Sequence, residues 1–154
     1  MSIDLMAKLA DLGLTLPDAP APAANYVPYV QSGAQLFVSG QISNGPDGLI
    51  LGKLGADMTT AEGAAAAQTC ALALLAQANA AVGGDFSKIN RLVKLVGFVN
   101  STPEFTEQPK VVNGASDLMV AVLGDAGRHA RSAVSAASLP LGVAVEIEAI
   151  FELK

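Results

Sequence analysis

The sequence predicts an α+β fold with the element order βββαβαββ, in which two helices cover one face of a mainly antiparallel sheet. Three features carry this prediction: short segments rich in Val, Ile, Phe and Tyr, two long segments with helical spacing of apolar residues, and alternating C-terminal segments. A chain of 154 residues suits one compact domain. We therefore divide it into an N-terminal helix and connector, residues 1–24, and a main domain, residues 25–154.

The N-terminal segment predicts a short helix followed by an extended connector. Apolar residues recur at helical spacing as far as Leu12, Ser2 is a suitable cap, and Gly13 is well placed to end the helix. Residues 16–24 are rich in Pro and Ala and have no period, which indicates an extended conformation.

The first strands follow this connector. Residues 26–31 and 35–42 are separated by a Ser-Gly-Ala turn and predict an antiparallel pair. Residues 44–48 are dense in turn-forming types, so residues 49–51 predict a third short strand.

Two helices flank the next strand. Thr59 or Thr60 caps an alanine-rich helix that ends near Val82, and its small side chains favour close packing on a sheet. Residues 90–100 alternate as a core strand, and residues 108–123 carry the apolar spacing of a second amphipathic helix.

The last two segments, residues 131–137 and 143–153, predict a hairpin around residues 139–142. Symmetric pairing places Arg131 opposite Ile150 and separates Arg131 from Glu146 by about 13 Å along the ladder, so a site that uses both needs a second subunit. A solvated face with a surface arginine and surface glutamates is the alternative. Alternation predicts one face that meets the helices, with Val134, Val145, Ile147, Ala149 and Phe151, and one polar face, with Arg131, Ala133, Ser135, Glu146 and Glu148.

Composition restricts the class of protein. The formal charge is -5 with no basic run, which makes nucleic acid an unfavoured partner. Hydrophobic residues make up 51% and charged residues 15%, which indicates apolar surface buried between copies of the chain. The first 16 residues lack the pattern of a signal peptide and no segment has the pattern of a membrane span, so we expect a cytoplasmic protein.

Several kinds of site are not indicated by the sequence. The lone Cys70 lies in the alanine-rich helix and predicts a small buried hydrophobe. We find no Cys/His cluster for a metal, no phosphate-binding glycine loop and no pairing of a nucleophile with a histidine, and His129 reads as a surface residue. The sequence therefore gives no motif that indicates a metal or a cofactor.

Six short segments occur in the order and rough spacing of one known family; they are residues 28–31, 39–42, 98–99, 130–134, 139–140 and 145–150. On these segments, and over residues 26–153, the chain resembles the reactive intermediate deaminase (Rid/YjgF) family, also called endoribonuclease L-PSP. The resemblance implies a chorismate-mutase-like fold, a homotrimer with sites between subunits, and no cofactor. It also implies hydrolysis of 2-iminopropanoate and 2-iminobutanoate to 2-keto acids and ammonia.

The resemblance assigns roles to individual residues. Arg131 matches the arginine that binds the substrate carboxylate, a task suited to a planar fork of donors. Glu146 matches the glutamate that handles the attacking water. Pocket-lining positions match Tyr29, Ser39, Gly40, Asn113 and Ala133.

The chain also departs from the family pattern. Ser116 stands where relatives often have an aromatic residue, Ala133 replaces a frequent cysteine, His129 replaces a proline, and about four extra residues precede Asn113. These departures leave the size of the substrate open. They also keep open a module that binds small carboxylates without turnover, whereas the negative charge makes endoribonuclease activity the least favoured alternative.

Overall fold

A five-stranded sheet is the centre of the computed structural model, which describes residues 3–22 and 24–154. The strands of the chain are β1 (Tyr29–Ser32), β2 (Gln35–Ile42), β3 (Asn44–Gly45), β4 (Gly48–Leu49), β5 (Ile89–Asn100), β6 (Ala130–Ala136) and β7 (Val145–Leu153). All except β3 and β4 join the main sheet, in the order β1-β2-β7-β5-β6, and only the β5–β6 pair is parallel. The predicted α+β class with a mainly antiparallel sheet is confirmed.

The predicted third strand is not part of the main sheet. β3 and β4 pair only with each other, and Leu51 makes a single bridge to Val143. The turn-forming residues between β3 and β4 close a two-residue hairpin that lies outside the main sheet. The first strand also begins later than expected, at Tyr29.

Helices cover one face of the sheet. They are α1 (Leu5–Asp11), α2 (Thr60–Ala81) and α3 (Gln108–Leu123). Thr59 caps α2 as predicted, and the cap is a reciprocal box in which Glu62 bonds back to the Thr59 backbone. The alanines and leucines of α2 and the valines and leucines of α3 fill the space above the sheet.

The N-terminal segment packs onto the main domain. Asp4 caps α1, while the predicted cap, Ser2, and one connector residue, Ala23, lie outside the described residues. Leu5 and Leu9 of α1 are buried and join the main core. The connector is fixed to α2 by a hydrogen bond of 2.6 Å from Nε2 of Gln77 to the carbonyl oxygen of Pro20.

Helices α2 and α3 approach each other closely through a glycine. A Cβ atom added at Gly114 would overlap the backbone of Ala64, so only glycine permits this approach. Gly97 of β5 makes similar room for Val112, since an added Cβ would lie 3.0 Å from Cγ1 of Val112. The position of α3 is therefore set by backbone contact with α2 and by the packing of the Val112 side chain over Gly97 of the sheet.

The predicted hairpin of β6 and β7 is wrong, because β5 lies between these strands. Leu95 of β5 pairs with Arg131 on one side and with Ala149 on the other. Arg131 therefore does not face Ile150. The segment from residue 137 to 144 passes the end of β5 instead of making a tight turn, which lets β6 run parallel to β5.

The predicted distribution of side chains over the two faces changes with the strand order. Arg131 and Ala133 share rows with buried Leu95 and with Gly97, on the face covered by the helices. Val134 shares a row with Phe98 and Glu146 on the open face, and it is 44% exposed. With β5 between the two strands, Arg131 is in register with Ala149, one residue away from the predicted Ile150. A shift of one residue moves every β6 side chain to the other face of the sheet, compared with the prediction.

Candidate active site

The residues predicted for the site fall into two groups. We call Glu146, Gly40 and Ser39 the glutamate cluster, which lies where β2 meets β7. We call Arg131, Asn113 and Ala133 the arginine cluster, which lies on β6 and α3.

Gly40 gives the Glu146 side chain its space. It lies at the irregularity of register between Val38 and Gln41, where β2 departs from regular pairing with β7. A Cβ atom at Gly40 would lie 3.0 Å from Cδ and 3.1 Å from Cγ of Glu146, and closer still to Oε1. The glutamate carboxylate thus occupies the volume that any other residue at position 40 would fill.

Ser39 joins the chain before β1 to β2. Its hydroxyl donates to the carbonyl oxygen of Val27 at 2.8 Å, and its backbone N–H donates to the carbonyl oxygen of Pro28 at 2.9 Å. Tyr29 is half-buried and packs against the core. In this chain Ser39 therefore holds the wall of the cluster in place.

The environment of Glu146 disfavours its charge. Burial raises the pKa of the Glu146 carboxyl above its ordinary value, and the like charge of Glu148 raises it further. The side chain is half-buried and keeps access to solvent. A carboxyl with a raised pKa is a stronger proton acceptor than an ordinary surface carboxylate.

A cavity of about 820 Å³ adjoins the glutamate cluster. Its size lies in the range of small-molecule sites. The connector forms one wall, and α2 and the turn before β7 form others. Lining residues include Gly40, Ile42, Leu72, Ala73, Leu141 and Glu146.

The arginine cluster is built on α3. Nη1 of Arg131 donates to Oγ of Ser116 at 3.0 Å, and Nη2 donates to the carbonyl oxygen of Pro109 at 3.2 Å. Asn113 is exposed and lies four residues after Pro109 and three before Ser116, hence on the same stripe of the helix. Ala133 follows two residues after Arg131 on the same face of β6.

The structure joins a serine to a histidine here, a contact that the sequence did not indicate. Nε2 of His129 lies 2.9 Å from Oγ of Ser116, and Nδ1 lies 2.5 Å from the carbonyl oxygen of Gly127. His129 is half-buried, not a free surface residue. The signal available in the sequence was that the resemblance marks both Ser116 and His129 as departures, near Asn113 and Arg131.

The two clusters are far apart within one chain. Tyr29, which belongs to neither cluster, lies on the opposite edge strand, four strand spacings of about 4.8 Å, or roughly 19 Å, from Arg131. Glu146 lies on β7, two strands away from β6, and its row across the sheet meets β6 at Val134, three residues from Arg131. The side chains of Glu146 and Arg131 lie on opposite faces of the sheet. One row runs through Tyr29, Val38, Ala149, Leu95 and Arg131.

Other candidate chemistry is limited. Within residues 3–22 and 24–154, no three His, Cys, Asp or Glu side chains lie together as a metal site. Cys70 is buried, as predicted, and burial raises the pKa of its thiol. In the same part of the chain, no helix is long and apolar enough to cross a membrane.

Comparison with known proteins decides the family. The family model described as "YjgF/chorismate_mutase-like, putative endoribonuclease" matches residues 6–153. The chain belongs to this YjgF family. Protein TCP17 of Trypanosoma cruzi is 55% identical over 149 residues, which cover 96% of this chain and 92% of that relative.

Solved structures of YjgF-like proteins agree with the fold. The protein Atu1372 of Agrobacterium tumefaciens, of unknown function, is 50% identical with a TM-score of 0.91, over 97% of this chain and 92% of that one. RidA from an Antarctic Psychrobacter is 27% identical with a TM-score of 0.59, over 88% and 94%. The YjgF family model begins at residue 6 and therefore includes most of α1.

Proposed function

We propose that this protein hydrolyses short 2-imino acids, such as 2-iminopropanoate and 2-iminobutanoate, to 2-keto acids and ammonia. The observation that carries the proposal is the separation of two complementary clusters, a cationic fork at Arg131 and a half-buried carboxyl at Glu146. One chain offers both groups but not at one place. A second subunit would bring the Arg131 of one chain to the Glu146 of its neighbour.

The reaction follows from the chemistry of these groups. Arg131 binds the substrate carboxylate through N–H groups that α3 does not use. Glu146 takes a proton from a water molecule while the water oxygen bonds to the imine carbon. The nitrogen then receives protons and leaves as ammonia, and the carbinol oxygen becomes the keto oxygen. The net change is the addition of one water and the loss of one ammonia.

The environment of Glu146 supports this role. A general base works best when its pKa lies near the working pH, and burial together with Glu148 moves the pKa of Glu146 in that direction. An imine carbon is already electrophilic, so positioning and one proton relay supply most of the required rate.

An uncovered apolar surface supports a homotrimer with sites between subunits. Val30, Phe37 and Val134 are 52%, 41% and 44% exposed, and they share the sheet face opposite the helices. Exposed apolar side chains gathered on one sheet face are typical of a contact with another chain. Glu146 lies on this same face, so the contact surface and the carboxyl adjoin each other.

A competition assay tests the activity. Threonine dehydratase generates 2-iminobutanoate, semicarbazide traps it, and an active deaminase lowers the rate at which semicarbazone forms. We expect that rate to fall in proportion to added protein. An unchanged rate at high concentrations of a folded protein would overturn the proposal.

Mixing inactive variants tests whether the site is shared. Arg131→Ala and Glu146→Gln are each expected to be inactive alone. After joint refolding, a random trimer has an intact arginine facing an intact glutamate at about a quarter of its sites. Recovery of about a quarter of the activity supports sites between chains, whereas no recovery in mixed trimers places both groups in one chain's site.

The alternative function is binding of small carboxylates without turnover. Ser116 favours it, because this hydroxyl replaces an aromatic wall that is frequent in relatives. Calorimetric binding of 2-ketobutyrate without any effect on semicarbazone formation would select this alternative. Endoribonuclease activity remains the least favoured, given the formal charge of -5.

A further inference from the structure

The Ser116 hydroxyl is the centre of a chain of hydrogen bonds that begins at Arg131. Nη1 of Arg131 donates to Oγ of Ser116 at 3.0 Å, and this oxygen lies 2.9 Å from Nε2 of His129. Nδ1 of His129 lies 2.5 Å from the carbonyl oxygen of Gly127. The chain thus crosses from β6 to α3 and back to the segment that precedes β6.

The direction of each bond follows from what each group is able to donate. The Gly127 carbonyl only accepts, so Nδ1 of a neutral His129 carries the proton and Nε2 presents a lone pair. Ser116 then donates to Nε2 and accepts from Arg131. The Ser116 hydroxyl thus both donates and accepts a hydrogen bond. Every bond of the chain has its donor on the Arg131 side and its acceptor on the Gly127 side.

This arrangement fixes the guanidinium while leaving donors free. Of its five N–H groups, one goes to Ser116 and one to the carbonyl oxygen of Pro109, which leaves three for other acceptors. A long side chain that is already ordered loses less conformational entropy when a ligand binds. The free donors are therefore presented in a set orientation.

We propose that Ser116 and His129 are positioning residues that hold Arg131 ready for a carboxylate. The proposal rests on the proposed function only for the identity of the ligand. Ser116 acts on the guanidinium directly, and His129 acts through Ser116 by fixing the direction of its hydroxyl.

Variants separate this role from a merely structural one. Ser116→Ala removes the hydroxyl, Ser116→Thr retains it, and His129→Gln retains an acceptor for it. Ser132→Ala is the matched control, because Ser132 follows Arg131 on β6 but is exposed on the opposite face. The probe is 2-ketobutyrate, with affinity measured by calorimetry and KM and kcat by the semicarbazide assay.

We expect Ser116→Ala to weaken 2-ketobutyrate binding and raise KM by about tenfold with a smaller change in kcat, the effect of losing one hydrogen bond to a charged group. Ser116→Thr and His129→Gln should restore most of the affinity, and Ser132→Ala should retain all of it. Wild-type affinity in folded Ser116→Ala would overturn the proposal.

A second readout does not depend on activity. The chain holds three arginines, Arg91, Arg128 and Arg131, so an ¹⁵N spectrum of the guanidinium region has few signals, and loss of one in Arg131→Lys assigns it. We expect hindered rotation of the Arg131 guanidinium in the wild type and freer rotation in Ser116→Ala. Equal rotation in both would overturn positioning even if imines are hydrolysed. Hindered rotation with ligand binding but no hydrolysis would uphold positioning and overturn only the proposed function.

Discussion

Replacing Gly40 by alanine should disable the glutamate without unfolding the protein. Position 40 does not have a positive φ, so alanine introduces no backbone strain there. Its Cβ, however, would lie 3.0 Å from Cδ of Glu146, whereas ordinary contact begins near 3.4 Å. Cδ of Glu146 must therefore move away by at least the difference, 0.4 Å, and Oε1, which lies nearer, must move by more, on the order of 1 Å.

The size of the effect follows from this displacement. A misplacement of about 1 Å in a catalytic group costs on the order of 100-fold in rate. Because the clash is with the end of a flexible side chain, the expected loss of folding stability is below about 1 kcal/mol. We therefore expect kcat in the semicarbazide assay to fall about 100-fold while the thermal midpoint changes little.

Gly45→Ala is the matched control for this substitution. Gly45 lines the same cavity and lacks a positive φ, but an added Cβ would meet only the Ile50 side chain, at ordinary distances of 3.6 Å from Cδ1 and 3.9 Å from Cγ1. It should retain full activity. If folded Gly40→Ala were as active as Gly45→Ala, the Glu146 carboxylate would not act from the position described here.

Three further predictions concern charge and burial. Arg131→Ala should lower kcat/KM by tens- to thousands-fold, because losing a charge-assisted contact costs about 2–5 kcal/mol. Light scattering should still find the wild-type assembly, and the loss of folding stability should be about 1–2 kcal/mol. A monomeric or unfolded variant would show that the role of the arginine is structural. A general base must be deprotonated, so the raised pKa of Glu146 sets the acidic limb of the pH profile of kcat. Glu148→Gln removes the smaller cause of that raised pKa and should move the limb to lower pH, while burial, the larger cause, keeps part of the shift. An unmoved limb would argue against Glu146 as the base. Cys70 should react with a thiol reagent only after denaturation, because burial raises the pKa of its thiol and excludes the reagent; stoichiometric labelling of the native protein would contradict the buried position.

Local signals in the sequence predicted most elements. The caps and apolar spacing of α2 and α3 depend on neighbours within one or two turns, and these helices lie within a residue or two of the predicted bounds. β2, β5 and β7 were predicted for the same reason, since period-two alternation is a local property.

Strand order was not accessible in the same way. β6 and β7 have the composition of a hairpin whether or not they pair, and nothing local records that β5 comes between them. The apolar Val134 was assigned to the covered face, yet it lies on the open face. An apolar residue at an interface between chains has the same pattern as one in a core.

The candidate site was predicted in part. Arg131, Glu146 and Gly40 came from the resemblance. The separation of Arg131 from Glu146 within one chain was also predicted, although an intervening strand and opposite faces of the sheet separate them, and not distance along a hairpin. The link between Ser116 and His129 joins residues 13 apart in the chain, on two elements. Only the packing of α3 against β6 brings them together.

The close approach of α2 and α3 at Gly114 limits how this protein can change over evolution. With backbone against backbone there, α3 has no room to move towards α2, and any larger residue at position 114 would displace the helix that holds Ser116 against Arg131. A new ligand size must then be accommodated by exchanging side chains along the exposed stripe of α3. Ser116 lies on this stripe and contacts Arg131, so an exchange at position 116 would alter the arginine cluster without moving α3.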